Sequence, residues 1–265
     1  MRLNEMVPVP DWGRRFTAQR PVRLADATPG GRIRLDAVAR YLQDVANDDA
    51  TEADLPDAMA WVVRRTAIHV DRWARLGERL ELVTFCSGVG ASWAERRTAI
   101  RGDRGAHIEA AALWVHVDAA SGRPRRLGIE FDRVYGETHR GRRVSARLRG
   151  VERSGALPGG PGAAGGHGGE DRDRDFPLRL VDFDVLGHVN NTVYWAMVEE
   201  VLAVHRPLPG GLEAEVEHQR ALDRASAPVV RVSHPAPDRM ELCVSDQAGV
   251  SAMGFLVGFE SGSTS

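Results

Sequence analysis

Two segments with the same order of elements flank a run that cannot build a core, and this duplication limits the folds open to the chain. Residues 149–175 carry Gly155, Gly159, Gly160, Pro161, Gly162, Gly165, Gly166, Gly168 and Gly169, hold almost no apolar side chains, and end in the charged run Glu170 to Asp175. Such a composition reads as a flexible linker. Before it, after an irregular arm over residues 1–18, come a strand at Val22–Asp26 and a turn at Pro29 to Gly31. A helix from Leu35 to about Ala53 follows, with Leu35, Val38, Ala39, Leu42, Val45 and Ala46 on one face. Strands near 61–73, 78–88, 92–101 and 106–118 come next, broken at Gly77, Gly88 to Gly90 and Gly102 to Gly105. After the linker the order begins again: a strand over 176–184, a helix over about 190–205, and strands near 212–221, 227–234, 239–246 and 250–259. A helix followed by a run of strands, twice over, is α+β order and not the alternating order of a parallel sheet. The expected organisation is an amino-terminal domain 1–148, the linker 149–175 and a carboxy-terminal domain 176–265.

The halves overlay at an offset of 156 residues. Asp182-Phe-Asp184-Val-Leu-Gly187-His188 falls on Asp26-Ala-Thr28-Pro-Gly-Gly31-Arg32, and Glu199 falls on Gln43. Both copies set a Gly turn directly before a helix, but carboxylate, imidazole and helix glutamate occur together only in the second. On this overlay one half does the chemistry and the other builds the pocket.

The second copy therefore holds the candidate site. Gly187 makes a tight turn, His188 follows, and Asn190 and Asn191 both stand where an N-cap belongs, ahead of Val189, Val193, Ala196 and Met197 at helical spacing. Asp184 and His188 then face the electropositive start of a helix, whose free N–H groups near Val189 to Asn191 can hold a carbonyl oxygen. A thiol, with a pKa of about 8.5, leaves without much acid help, so a thioester needs only a base for water and donors for its oxygen. Each residue also has a plainer reading: Asp184 as a turn cap, His188 bonded to backbone, Glu199 on a solvated helix face. Asp182 is expected on the opposite side of its strand from Asp184.

The residues Asp184 to Asn191, with Tyr194 and Glu199, resemble the helix-start motif of hotdog-fold thioesterases. Trp61-Val-Val-Arg64, Val70-Asp-Arg72, Gly77, Thr84, Trp93, Arg97 and Trp114-Val-His-Val-Asp118 resemble the amino-terminal half of the acyl-ACP thioesterases, where ACP is acyl carrier protein. The resemblance implies two tandem hotdog domains, each a long helix wrapped by an antiparallel β-sheet, and hydrolysis of a fatty acyl-ACP, with acyl-CoA as the alternative donor. It implies a catalytic set of Asp184, His188, Asn190, Asn191 and Glu199, with no cofactor and no metal. Substrate-binding candidates are Trp61, Val63, Leu42, Met59, Gly187 and Val189, the apolar ones lining an acyl tunnel unless they are ordinary core. Two positions depart from the plant pattern Asp-x-Asn-x-His. Leu186 stands where that Asn would be, and a further Glu on the next strand would fall on Ala221, with Glu217 and Asp223 nearby. Single-domain hotdog thioesterases keep the Asp three residues before the Gly without that Asn, as Asp184 and Gly187 do here. A non-catalytic acyl-binding protein on the same scaffold is the reading from another class.

Other features narrow the partners. A net charge of −2 argues neither for nor against nucleic acid, and the resemblance implies none. All 35 basic residues are Arg, which reads first as a coding bias. Ten of them lie between Arg123 and Arg153 against four acids, a candidate landing surface for an acidic carrier protein. No apolar run of about 20 residues or signal-like amino terminus occurs, so a cytoplasmic protein without stable membrane insertion is expected, as a monomer or homodimer. Cys86 and Cys243 read as buried free thiols. There is no Gly-x-Ser-x-Gly elbow, no phosphate loop leading to Lys and no His/Cys metal cluster. Hotdog hydratases space their Asp and His five apart rather than four.

Overall fold

The computed structural model describes residues 5–55, 61–150, 173–204 and 210–259. Most of the linker, and Met59, lie outside the described residues. The first half contains β1 (Phe16–Pro21), α1 (Leu35–Glu52), β2 (Trp61–Arg72), β3 (Arg79–Val89), β4 (Trp93–Gly102), β5 (His107–His116) and α2 (Ile129–His139). The second contains β6 (Arg174–Asp175), α3 (Asn191–Val204), β7 (Gly211–His218), β8 (Val229–Ala236), β9 (Arg239–Asp246) and β10 (Gly249–Phe259).

All ten described strands form one antiparallel sheet in the order β1-β3-β4-β5-β2-β7-β10-β9-β8-β6. Read outward from the middle, each half repeats the same succession, so the sheet has a pseudo-dyad between β2 and β7. There Arg65 pairs with Glu217, Ala67 with Glu215 and His69 with Glu213. Joining the halves removes the sheet edge that each would otherwise leave open. The fold is a double hotdog. Alternation on β7 explains the packing: Leu212, Ala214 and Val216 enter the main core, where they join Val38, Leu42 and Val45 of α1 and Val193, Met197 and Val201 of α3. A satellite cluster of Cys86, Val89, Ala94, Phe131 and Tyr135 forms where α2 covers β3.

The duplication extends to single hydrogen bonds. Arg23 N–H donates to Asp26, and Arg179 N–H donates to Asp182, each across a 3-10 turn. Thr28 N–H donates to Arg32 and Asp184 N–H to His188, both at 2.8 Å. Gly31 and Gly187 share a φ of 79°, a left-handed value that glycine adopts without a Cβ penalty. The offset of 156 residues therefore holds atom for atom across these turns.

Three expectations are corrected. The strand placed at Val22–Asp26 is β1 at Phe16–Pro21 followed by a 3-10 turn. No strand forms over 176–184: the two-residue β6 ends just before it at Asp175, and Asp182 sits on the second 3-10 turn. There the Asp182 carboxylate is buried; burial works to raise its pKa, but hydrogen bonds from Arg179 outweigh this and hold it below the usual range. Third, α2 lies inside the arginine-rich run read as surface: Phe131 and Tyr135, one turn apart, give it a buried face. Both cysteines are free; Cys86 is buried and Cys243 half-buried.

Candidate active site

Gly187 turns the chain so that the residues before it fold back on the start of α3. Oδ1 of Asp184 accepts the Leu186 N–H at 2.9 Å and the His188 N–H at 3.1 Å. These bonds fix the carboxylate at the turn, so the plain capping role is real. They leave Oδ2 without a hydrogen-bond partner among the described residues. Asn190 is the N-cap: its Oδ1 accepts the Thr192 N–H at 2.9 Å and the Thr192 hydroxyl at 2.9 Å. Asn191 is the first helical residue, and its N–H has no acceptor among the described residues.

Asp184 and Asn190 stand at one end of a cavity of about 360 Å³. Val185 and Leu186, both exposed, border the same end. Gln43, Ala46, Asn47 and Ala50 of α1 form one side, and Cys86, Ala94 and Trp114 of the sheet another. An aromatic series closes the third: Trp61 stacks on His116 at 5.0 Å and tilts on Phe131 at 5.6 Å, which meets Tyr135 at 5.0 Å. A second cavity of about 180 Å³ adjoins through Leu55, Trp61 and Phe131 and carries Arg125 and Arg126 on its rim.

The polar groups in the cavity wall are largely neutral or satisfied. Burial pushes the Cys86 thiol and the Tyr135 phenol each up to about 12, so neither ionises near neutrality. Asp49, 1% exposed, accepts from Arg14 at 2.7 Å, Arg96 at 2.6 Å and the Tyr135 hydroxyl at 2.6 Å. Burial opposes the Arg96 charge, but Tyr135 and Asp49 outweigh it and hold its pKa above the ordinary value. The wall is thus a mostly apolar surface backed by a closed ion network, and Asp184 is a carboxylate in its lining with no ion pair among the described residues.

The other expected site residues lie elsewhere. His188 reaches Asp184 through its main chain only, and its imidazole is exposed and outside the cavity lining. Glu199 binds Arg32 with both oxygens at 2.8 Å and takes the Leu35 N–H at 2.6 Å, at the start of α1 rather than α3. Leu42, Val63 and Val189 are buried and outside the lining, Leu42 and Val189 packing in the main core. Gly187 serves the turn, Trp61 lines the cavity, and Met59 lies outside the described residues. Tyr194 is buried with its hydroxyl 2.9 Å from Ser251. Glu217 lies on the opposite sheet face and accepts the N–H groups of Arg149 and Gly150. Sequence reasoning missed Gln43, Phe131 and Tyr135; the aromatic pair at i, i+4 was the available signal for the last two.

Comparison with known proteins agrees with the double-hotdog fold. Residues 13–135 match the acyl-ACP thioesterase N-terminal domain and residues 167–223 the acyl-ACP thioesterase C-terminal domain. The chain belongs to the acyl-ACP thioesterase family. Among its relatives is an uncharacterized protein of Mycobacterium tuberculosis strain H37Rv, 27% identical over 250 residues, 94% of each chain. Among solved structures of similar fold, the 12:0-ACP thioesterase from Umbellularia californica is 19% identical with a TM-score of 0.70, covering 92% of this chain and 96% of that one. An acyl-ACP thioesterase from Bacteroides thetaiotaomicron is 15% identical with a TM-score of 0.68, covering 92% and 97%. In this member of the acyl-ACP thioesterase family, no helix of the described residues is long and apolar enough to cross a membrane.

The arginine-rich run divides in two. Arg133 pairs with Glu130, Arg142 with Glu5 and Glu95, Arg149 with Glu215, and Arg140 covers the Trp12 ring. Arg126 is exposed on the rim of the second cavity, and Arg123, just before it in the chain, is exposed as well.

Proposed function

We propose that the protein hydrolyses a fatty acyl thioester of acyl carrier protein, with the acyl chain in the cavity that begins at Asp184 and runs under α1 and α2. The observation that carries this reading is the Asp184 carboxylate, with one committed and one open oxygen among the described residues, lining a mostly apolar cavity together with the N-cap Asn190, directly ahead of the first helical residue Asn191. Each buried methylene contributes about 0.8 kcal/mol, so a chain long enough to fill the cavity is held without directional contacts.

In the reaction, Oδ2 of Asp184 takes a proton from water as the oxygen attacks the thioester carbonyl carbon. The Asn191 N–H at the start of α3 stabilises the charge that gathers on the carbonyl oxygen. Collapse of the adduct breaks the C–S bond, and the thiolate takes the proton held on Asp184 to leave as the carrier thiol, which returns the carboxylate and leaves the free fatty acid. Leu186 in place of the plant Asn leaves this scheme without a side-chain amide at that position, so Asp184 carries the water unaided by it. An acidic carrier would land on Arg123 and Arg126.

The test is thiol release from acyl-ACP and acyl-CoA panels by the protein and its Asp184→Asn variant. The substituted amide keeps an oxygen for the Leu186 and His188 N–H groups, so the turn survives. Turnover should fall about 10²–10⁴-fold. Saturable acyl binding with no turnover in either protein would instead favour a non-catalytic acyl-binding protein.

A further inference from the structure

We propose that Gln43 is a catalytic residue of this site, its side-chain amide nitrogen donating to the thioester carbonyl oxygen opposite the Asn191 N–H. The inference rests on the reading of the Asp184 cavity as a thioesterase site and adds a group from the other half of the chain.

The argument comes from the pseudo-dyad. In the first copy of the helix start, the N–H of Leu35 is met at 2.6 Å by an oxygen of Glu199, projecting from α3. The facing helix therefore reaches the first amide of its neighbour from that position, and it delivers an anionic oxygen there. Arg32 neutralises the carboxylate with two 2.8 Å bonds. Every member of this arrangement has a counterpart 156 residues away, and the turn bonds around it are the same in both copies. Leu35 corresponds to Asn191, Arg32 to His188, and Glu199 to Gln43 of α1.

The copies differ in what fills the space. Around Leu35 the carboxylate occupies the amide itself, and a substrate oxygen has nowhere to bind. Around Asn191 the corresponding side chain is a neutral amide that lines the cavity together with Asp184 and Asn190. Gln43 is half-buried, and its amide makes no hydrogen bond among the described residues. A carboxylate there would repel the developing oxyanion and compete for the Asn191 N–H. An amide offers two N–H donors to that same oxygen. The glutamate thus closes one helix start, and the glutamine keeps the other open and supplies a second donor.

The experiment compares Gln43→Leu and Gln43→Glu with the unaltered protein and Asp184→Asn. Loss of one oxyanion donor costs about 10²-fold or more in rate, so Gln43→Leu should lower kcat by that order with KM changed less than about threefold and the thermal midpoint held. Gln43→Glu should lose at least as much turnover. A second readout needs no turnover: the infrared band of a carbonyl-labelled dodecanoyl-pantetheine thioester bound to Asp184→Asn. Its shift to lower frequency should shrink when Gln43→Leu is added. An unchanged band, or an unchanged kcat in Gln43→Leu where Asp184→Asn collapses, would overturn the role of Gln43 and leave the thioesterase reading standing. Full turnover by Asp184→Asn would overturn that reading instead, while the band would still report on Gln43.

Discussion

Arg32 holds Glu199 by both carboxylate oxygens across the two halves of the chain, and the same carboxylate caps the amide of Leu35. With the Glu199 side chain 10% exposed and Arg32 25%, the pair is shielded enough to matter for folding. Truncating one partner leaves the other charge partly buried and uncapped. Glu199→Ala should therefore cost about 2–3 kcal/mol, a drop in Tm of roughly 5–10 °C. At temperatures where the variant remains folded, its kcat should match the unaltered protein, because Glu199 is outside the Asp184 cavity. A collapse of kcat with Tm unchanged would place Glu199 in the chemistry after all.

Chain-length selection should respond to the sheet side of the cavity. Ala94 is buried and lines it between Cys86 and Trp114. Ala94→Phe adds a ring where the acyl chain would lie; excluding about three methylenes removes about 2.4 kcal/mol of binding, roughly 50-fold. Over a length series of thioesters, kcat/KM for the longest substrates should fall by that factor and for the shortest should hold. Part of the ring will strain the satellite cluster, with a stability loss of about 1–3 kcal/mol visible in the melt. Equal loss at every length would show that the chain lies elsewhere.

The regular elements were legible because their periods are strong. The apolar stripe of α1 ends within a residue of its expected limit, and the alternating strands β2 to β5 and β7 to β10 fall close to where breaks at Gly and Pro place them. What escaped was short or masked by charge. β6 has two residues, too few for alternation, and the 3-10 turns holding Asp26 and Asp182 are set by a carboxylate capping a backbone, which periodicity does not register. α2 shows its apolar signal in Phe131, Val134 and Tyr135 alone on the inner face, within a run of arginines. At the site, Asp184, Asn190 and Trp61 share a cavity, but their grouping with Gln43 depends on α1 packing against α3. Only the internal repeat, which aligns Gln43 with Glu199, carried a trace of that contact.

Carrier docking should depend on charge rather than on shape alone. Arg126 is exposed on the rim of the second cavity, and Arg123 is exposed just before it in the chain. Replacing both by Glu should reduce kcat/KM for acyl-ACP about tenfold at low ionic strength, through slower association. The difference should shrink as salt shortens the screening length, and an acyl-pantetheine substrate should show no change. Tm should stay within a degree or two, since exposed substitutions act weakly on the fold. An equal loss on acyl-pantetheine would point to damage at the cavity rather than to docking.

Acid should weaken the fold through His218. Its ring lies against the edge of Tyr194 at 4.8 Å, and its Nε2 has no hydrogen-bond partner among the described residues. Burial, reinforced by the nearby Arg64 charge, pushes its pKa down to about 4. The unfolded chain binds a proton at this histidine near pH 6.5, whereas the folded chain refuses it until about pH 4. The neutral-ring contribution is therefore complete above pH 6.5, declines as pH falls from 6.5 to 4, and changes no further below that. The decline amounts to about 3 kcal/mol. Carboxylates such as Asp26 and Asp182 lose stability in acid as well, so the measurement must be a difference. Denaturant unfolding of the protein and of His218→Leu at about pH 7 and pH 4.5 isolates it: the variant should lose less stability over that span by about 2–3 kcal/mol. Parallel losses would show that the ring takes its proton freely in the folded state.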